Sequence, residues 1–258
     1  MESNIIFLRS ILMTREERTI RILEAFQPYS GYHLAFSGGK DSQVLYHLCL
    51  VNNIDFRAYF CRTSVDPPEV IDFIKEEYPS VRFLKPKRTM YQSIIKAGTL
   101  PTRMMRFCCK DLKEYAGNGE IVLTGIRSAE SNNRKLRPQI EMHNSEIKMF
   151  IHPIKDWSDK QVWDYLKRHK IEVNPLYKSG FGRIGCIGCP MSTANAKYEM
   201  FQRYPKHRVA YINTIKKLIQ NGKYSDFDDA DDVFSWWISN ASKEEYFADK
   251  KQGKINFV

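Results

Sequence analysis

The 258-residue sequence contains no apolar run long enough to cross a bilayer. Its first residues are polar, and the apolar stretch between Ile5 and Met13 is interrupted by Arg9 and Ser10, unlike a secretory signal segment. Internal repeats are also absent. From these absences we expect a cytoplasmic protein that has no membrane partner.

Cysteine is scarce, but four of the six cysteines are paired: Cys108 adjoins Cys109, and Cys186 and Cys189 form a C-x-x-C motif. In a reducing compartment, clustered cysteines indicate a metal site rather than disulfides. Zinc often binds paired cysteines, but the diverging side chains of neighbouring residues fit poorly on one tetrahedral ion. A cubane offers a separate iron to each thiolate, so the pattern favours a [4Fe–4S] cluster on these four cysteines, with zinc and inert thiols as alternatives.

The composition is that of a folded domain with a surplus of basic residues. Hydrophobic residues make up 43% of the chain, which is enough for one substantial core, and the net charge is +10. A basic surplus suits an anionic partner but by itself points only weakly to nucleic acid. Basic residues gather around the cysteine pair (Arg103, Arg106, Lys110, Lys113) and after a later predicted strand (Arg127, Arg134, Lys135, Arg137). A further basic group (Lys206, His207, Arg208, Lys216, Lys217) falls on a predicted C-terminal helix, where the alternative is a solvated face.

The most informative segment is the sequence SGGKDS at residues 37–42, which follows a short apolar strand and precedes an apolar helix. It is not the Walker pattern. Two glycines let successive N–H groups converge on one anion, and the helix start adds unpaired N–H donors and a positive dipole end. The alternative is an ordinary turn before a helix. The candidate phosphate ligands are Ser37, Gly38, Gly39, Lys40 and Ser42, and Asp41 is a candidate helix cap or Mg²⁺ ligand.

Strand and helix patterns alternate along the first two thirds of the chain, which predicts an α/β fold with a parallel twisted sheet covered by helices on both faces. The predicted strands are at about residues 33–36, 56–60, 81–84, 121–124 and 149–154. A helix starting after Ser158 is predicted to turn Trp163 and Leu166 inward. We expect residues 1–192 to form the nucleotide-binding domain with the iron–sulfur site, and residues 193–258 to form a helical C-terminal extension.

The loop and the cysteines together resemble the phosphoadenylyl-sulfate (PAPS) reductase family, whose fold is the PP-loop (HUP) type of the adenine-nucleotide α-hydrolases. The resemblance runs from Tyr32 to about Lys206 and includes residues 63–69, 124–134, 153–158 and 174–177. It implies that Gly125, Arg127 and Arg134 bind the nucleotide together with the loop, and that the two arginines act in catalysis with Lys40 and Asp41. It further implies that Lys113 faces the cluster or the nucleotide.

One departure from the family pattern concerns the reductive nucleophile. Reductase members carry a further cysteine near the C-terminus, and no cysteine follows Cys189 in this sequence. Relatives with loop and cluster but without that thiol include the ATP-pyrophosphatase components of DNA phosphorothioation systems and some tRNA-thiolating enzymes. The resemblance therefore implies that MgATP is cleaved to AMP and pyrophosphate for sulfur transfer to a nucleic acid. The partners implied are a sulfur-donor protein of the cysteine desulfurase kind and, as an open option, a second copy of the chain.

Two other functions remain open from the sequence. One is a PAPS or adenylyl-sulfate reductase in which Cys61, or a thioredoxin-type partner, replaces the missing thiol. The other is a non-enzymatic iron–sulfur sensor of an adenylate. The sixth cysteine, Cys49, falls among apolar residues of a predicted helix and is expected to be a buried structural thiol.

Overall fold

The computed structural model describes residues 13–143 and 147–253, so the predictions made for the first twelve and last five residues lie outside it. The chain forms two compact units that alternate along the sequence. Unit 1 comprises Met1–Cys61, Pro68–Leu84 and Ala116–Ile184, and unit 2 comprises Arg62–Pro67, Lys85–Tyr115 and Gly185–Val258. The predicted boundary after residue 192 stays a prediction.

In the described residues, unit 1 is built on a six-stranded, mostly parallel sheet. Its strands are β1 (Tyr32–Ala35), β2 (Phe56–Cys61), β3 (Arg82–Leu84), β4 (Ile121–Leu123), β5 (Ile140–His143) and β6 (Lys148–Ile151). The strand order is β3-β2-β1-β4-β6-β5, and the edge strand β5 runs antiparallel to β6. The predicted α/β fold with a parallel sheet is therefore confirmed.

The central strands are short and covered on both faces, as parallel strands are when helices pack over the sheet. Tyr32, His33 and Leu34 are successive residues of β1, so their side chains alternate between faces, yet all three are buried. In the described part of unit 1 the helices are α1 (Arg15–Ala25), α2 (Lys40–Val51), α3 (Pro68–Glu77), α6 (Asn132–Lys135), α7 (Asp159–Arg168) and α8 (Pro175–Lys178).

Helix α7 shows how the sequence sets a helix start. Ser158 caps it, accepting from the Gln161 N–H at 3.2 Å while the Gln161 side chain accepts from the Ser158 N–H at 2.8 Å.

The prediction that Trp163 turns inward is wrong. Val162, Tyr165 and Leu166 form the buried face, and Trp163 is exposed beside this stripe. No helix in the described ranges combines the length and apolar character that crossing a bilayer requires.

Unit 2 is helical in its described part. Its core is largely aromatic: Phe201 meets Tyr211 and Phe234 edge-on, at centroid distances of 5.4 and 4.9 Å, and Trp237 lies 4.9 Å from Tyr211. The helices are α4 (Met90–Ala97), α5 (Phe107–Leu112), α9 (Ala194–Arg203), α10 (Pro205–Gln220), α11 (Ala230–Ser239) and α12 (Lys243–Lys251).

Candidate functional site

The SGGKDS loop of unit 1 connects the end of β1 to the start of α2, as the sequence predicts. Gly38 has φ +71°, a conformation that favours glycine. A Cβ on Gly38 would also lie 3.0 Å from Ile74 Cδ1 and 3.2 Å from Val70 Cγ1 on α3. Both the backbone conformation and the packing therefore require a glycine at this position.

The two loop serines brace the turn. The Ser42 hydroxyl donates to the Gly39 carbonyl at 2.8 Å and accepts from the Ser37 N–H at 3.2 Å. The hydroxyls of Ser37 and Ser42 lie 3.1 Å apart, within hydrogen-bond distance. These bonds hold the loop in one conformation, with the start of α2 facing the carboxyl end of the sheet, where α/β proteins bind ligands.

A tyrosine not included among the predicted site residues covers the start of α2. The Lys40 N–H donates to the Tyr177 hydroxyl at 2.9 Å, and that oxygen would lie 3.3 Å from a Cβ on Gly39. Burial raises the pKa of Tyr177, so the phenol stays protonated at neutral pH. Tyr177 thus occupies a backbone donor of the kind that binds phosphate at helix N-termini.

The side chain of Lys40 is buried and paired with two carboxylates. Its ammonium lies 3.0 Å from Asp41 Oδ2 and 3.4 Å from Asp159 Oδ1. Burial acts to raise the pKa of Asp159, but the hydrogen bonds and positive charges of Arg127 and Lys40 outweigh it, so this pKa is lowered. The Asp159 side chain is 62% exposed, so the network is open to solvent on that side.

Arg127, predicted to bind the nucleotide, is fully buried and donates to three protein groups. Its Nε lies 2.5 Å from Asp41 Oδ1, its Nη2 lies 2.6 Å from Asp159 Oδ1, and its Nη1 lies 3.1 Å from the Trp157 carbonyl. A buried guanidinium requires such partners. The residue therefore connects the first turn of α2 to the start of α7.

Arg134 lies apart from this network. Its Nη1 donates to Glu130 Oε2, which also accepts from the Arg127 N–H at 3.0 Å. The Arg134 side chain is 30% exposed, so it could turn toward a ligand at modest cost. The structure thus brings Lys40, Asp41 and Arg127 together with Asp159, and the predicted nucleotide contacts of these residues and of Arg134 stay predictions.

Gly125 allows the end of β4 to approach the loop. A Cβ on Gly125 would lie 3.1 Å from the Asp41 carbonyl carbon and 3.2 Å from the Ser42 nitrogen. Any larger residue would therefore push the strand end away from the first turn of α2. This close approach places Arg127, two residues later, beside Asp41.

The four paired cysteines all belong to unit 2. Cys108 and Cys109 lie on α5, and Cys186 and Cys189 lie on a turn in which the Cys189 N–H donates to the Cys186 carbonyl at 3.1 Å. Between them Gly188 has φ +73°, and a Cβ there would lie 2.8 Å from Trp237 Cη2. Aromatic packing therefore fixes the C-x-x-C turn.

The thiols interact electrostatically with one another. A hydrogen bond with Cys109 is the main cause that raises the pKa of Cys108, and Cys186 and Cys189 contribute. That same bond, aided by the positive charges of Lys113 and Arg106, lowers the pKa of Cys109 to about 6. The structure therefore gathers the four predicted ligands in one region.

Lys113 lies beside these cysteines. Negative charge on Cys186 is the largest influence that raises the Lys113 pKa, with smaller contributions from Asp66, Cys109 and Cys189. A cluster held by four thiolates carries net negative charge, which a neighbouring ammonium stabilises. The position of Lys113 therefore fits the one that the resemblance implies.

Within residues 13–143 and 147–253, no three His, Cys, Asp or Glu side chains form a group that could hold a metal ion. A single zinc ion requires all its ligands within bonding distance of one point, whereas a cubane takes one thiolate at each iron. The chemistry of the donor set, four thiols with an adjacent ammonium, fits a [4Fe–4S] cluster.

The other two cysteines differ in exposure. Cys49 is buried in the core of unit 1, and burial raises its pKa to about 12, which makes it unreactive. Cys61 ends β2 and is half-buried.

Residues 31–192 match the family model described as "Phosphoadenosine phosphosulfate reductase domain". An uncharacterized protein of Methanocaldococcus jannaschii is 30% identical over 198 residues, which cover 71% of this chain and only 41% of that protein. An adenosine 5'-phosphosulfate reductase of Bacillus cereus is 28% identical over 179 residues, covering 65% of this chain and 76% of the reductase.

Among solved structures, PAPS reductase from Candida auris in a phosphate complex aligns with a TM-score of 0.50 at 20% identity, over 68% of this chain and 89% of the reductase. This likeness supports the fold. The matching family model spans the loop, the Arg127 network and all four paired cysteines. The chain belongs to the phosphoadenosine phosphosulfate reductase domain family.

Proposed function

We propose that this chain binds MgATP at residues 37–42 and cleaves it between the α- and β-phosphates, giving AMP and pyrophosphate. The observation that carries the proposal is the Lys40 ammonium, buried at the start of α2 and held by Asp41 and Asp159. Reaction at a phosphate requires little covalent work from the protein, and catalysis rests on positioned charge.

The loop and the arginine behind it have different roles in the proposed reaction. Lys40 exchanges its carboxylate partners for the leaving pyrophosphate, to which the Gly38 and Gly39 amides also donate. Arg127 acts as a positioning residue, because its three protein contacts hold Asp41 and Asp159 in place. Asp41 would hold Mg²⁺, which neutralises phosphate charge when bound.

The four paired cysteines would hold a [4Fe–4S] cluster with one thiolate at each iron, and a cluster ligated in this way would supply redox and electrostatic chemistry rather than an open iron position. In the full reaction an acceptor oxygen attacks the α-phosphate and displaces pyrophosphate, a persulfide sulfur of the donor then displaces AMP, and a thiol reductant cleaves the resulting disulfide. Without an acceptor, water attacks the α-phosphate and releases AMP and pyrophosphate directly. We propose a nucleic acid as the acceptor and a protein of the cysteine desulfurase kind as the donor. Reduction would require a thiol outside the cluster set near the C-terminus, and this sequence has no cysteine after Cys189, which favours sulfur transfer over reduction.

The Lys40→Ala variant tests the loop. We expect pyrophosphate release from ATP to fall about 100- to 1,000-fold, the usual cost of losing one positioned donor to transition-state charge. The matched control is Lys75→Ala, which removes an exposed lysine from α3 of the same unit and should leave turnover unchanged. Enzymatic detection of pyrophosphate and chromatography of the nucleotides give the readout.

Two outcomes would contradict the proposal. Release of ADP and phosphate would show that ATP is cleaved between the β- and γ-phosphates instead of between the α- and β-phosphates. Tight ATP binding by the cluster-loaded protein without any turnover would favour the nucleotide sensor instead.

The second candidate function is sulfonucleotide reduction, which the similarity to a B. cereus adenosine 5'-phosphosulfate reductase favours. A reductase requires a thiol outside the cluster set, and Cys61 is the half-buried candidate. We expect no sulfite above background when thioredoxin and either PAPS or adenylyl sulfate are supplied, and we expect Cys61→Ser to leave ATP cleavage unchanged. Thioredoxin-dependent sulfite release that disappears in Cys61→Ser would establish the reductase instead.

A further inference from the structure

A braced turn precedes the cysteine pair in unit 2. The Thr102 N–H donates to the Met105 carbonyl at 3.2 Å, and the Met105 N–H donates back to the Thr102 hydroxyl at 3.1 Å. The preceding Pro101 carbonyl accepts from the buried Trp237 indole at 2.7 Å. The turn is therefore fixed to the aromatic core rather than loosely attached.

This turn exposes two apolar side chains. Met104 is 93% exposed and Met105 50% exposed, on a segment whose backbone is already fixed. Adjacent exposed apolar side chains on a rigid support are typical of contact surfaces, and methionine adapts its shape to flat partners.

Positive charges flank the two methionines. Arg103 and Arg106 are both exposed, and Arg103 donates to the Ser192 carbonyl at 3.5 Å, a neutral acceptor that leaves its charge available. Lys110 is exposed on α5, four residues after the N-cap Arg106. Between residues 85 and 115 the chain has eight Lys or Arg residues against two Asp or Glu, a charge balance that suits an anionic partner.

We propose that residues 102–106 and Lys110, here called the Arg-Met turn, bind a single-stranded segment of nucleic acid. The order cation, apolar, apolar, cation matches a strand that alternates phosphates with unstacked bases. Arg103 and Arg106 bind phosphates, and Met104 packs on a base face. A duplex keeps its bases stacked and leaves the exposed thioethers without an apolar partner.

The position of the Arg-Met turn connects it to the proposed chemistry. The turn leads directly into α5, whose N-cap is Arg106 and which carries Cys108 and Cys109. A nucleotide bound at the turn is thereby presented to the cysteines. This consequence rests on the proposed function, whereas binding itself does not.

The test is the binding of fluorescently labelled single-stranded DNA, single-stranded RNA and duplex DNA, followed by anisotropy over a range of salt concentrations. The double variant Arg103→Ala/Arg106→Ala should bind single strands at least tenfold more weakly. The slope of log affinity against log salt should fall by about 1.4, at about 0.7 for each lost phosphate contact. The matched control, Lys216→Ala/Lys217→Ala, removes two exposed charges from α10 and should keep both affinity and slope.

The methionines are tested separately. Met104→Ala/Met105→Ala should weaken single-strand binding about three- to tenfold without changing the salt slope, because a base contact involves no counterion. Thermal unfolding by circular dichroism should match the wild type for all variants, since these side chains are exposed.

An unchanged slope in the arginine variant, an equal loss in the lysine control, or preferred binding of duplex would overturn the proposal. So would competition by polyglutamate as effective as that by the oligonucleotide, which would indicate an acidic protein partner. Pyrophosphate release without nucleic acid is measured on the same variants and should be unchanged. If the wild type releases none but the slope changes as expected, the proposed function fails and the docking surface stands.

Discussion

Arg127→Ala is expected to lower the free energy of unfolding by about 3–5 kcal/mol, the usual cost of removing one partner from a buried ion pair. The substitution leaves Asp41 with Lys40 as its remaining cationic partner and the Trp157 carbonyl without its donor. Pyrophosphate release should fall about 100-fold or more, because Asp41 and Lys40 lose the support that fixes them. Denaturant titration and the pyrophosphate assay measure the two effects.

Two milder variants distinguish the effect of the guanidinium's geometry from the effect of its positive charge. Arg127→Lys keeps the charge, but one ammonium cannot reach Asp41, Asp159 and the Trp157 carbonyl together, so we expect most of the activity loss with a smaller loss of stability. Asp159→Asn keeps an acceptor oxygen for Arg127 and should retain more activity than either arginine variant. Full turnover in a folded Arg127→Ala protein would show that the network does not position the loop.

Replacing any one of Cys108, Cys109, Cys186 or Cys189 by serine is expected to abolish cluster binding. The wild type, purified without oxygen, should contain about four iron and four sulfide ions per chain and show a broad absorption band at about 400 nm. A serine hydroxyl is a poor iron ligand, and the loss of one corner exposes the cluster to solvent. Iron, sulfide and zinc assays provide the measurement.

The controls are Cys49→Ala and Cys61→Ser, which alter cysteines of unit 1 and should keep the full iron content. Stoichiometric zinc without sulfide in the wild type would reject the cluster. Retention of iron in the Cys186→Ser protein would remove that residue from the ligand set.

Much of unit 1 can be predicted from its sequence because the signals are local. The SGGKDS turn lies between an apolar strand and an apolar helix, and its observed geometry depends on Gly38, which no other residue could replace without strain. The four paired cysteines stand out by residue type alone. Strand β5 was missed, because this edge strand of four residues includes Glu141 and an exposed His143 and has no clear alternation of apolar residues.

The long-range contacts of individual side chains could not be predicted from these local signals. The resemblance implies that Arg127 binds the nucleotide, which stays a prediction, but nothing in the sequence indicates that its guanidinium is buried against Asp41 and Asp159, which lie 86 and 32 residues away along the chain. Tyr177 reaches the loop from 137 residues away. Both Asp159 and Tyr177 lie in or next to segments that carry the family resemblance, which is the signal that could have identified them.

The most direct test of the account is product analysis of the anaerobically prepared, cluster-loaded protein with ATP, PAPS and adenylyl sulfate in parallel reactions containing Mg²⁺ and thioredoxin. Nucleotides are separated by chromatography, and pyrophosphate, phosphate and sulfite are each quantified. We predict equal amounts of AMP and pyrophosphate from ATP, which are lost in Lys40→Ala, and no sulfite from either sulfonucleotide. Sulfite from PAPS or adenylyl sulfate, with ATP left intact, would contradict the account.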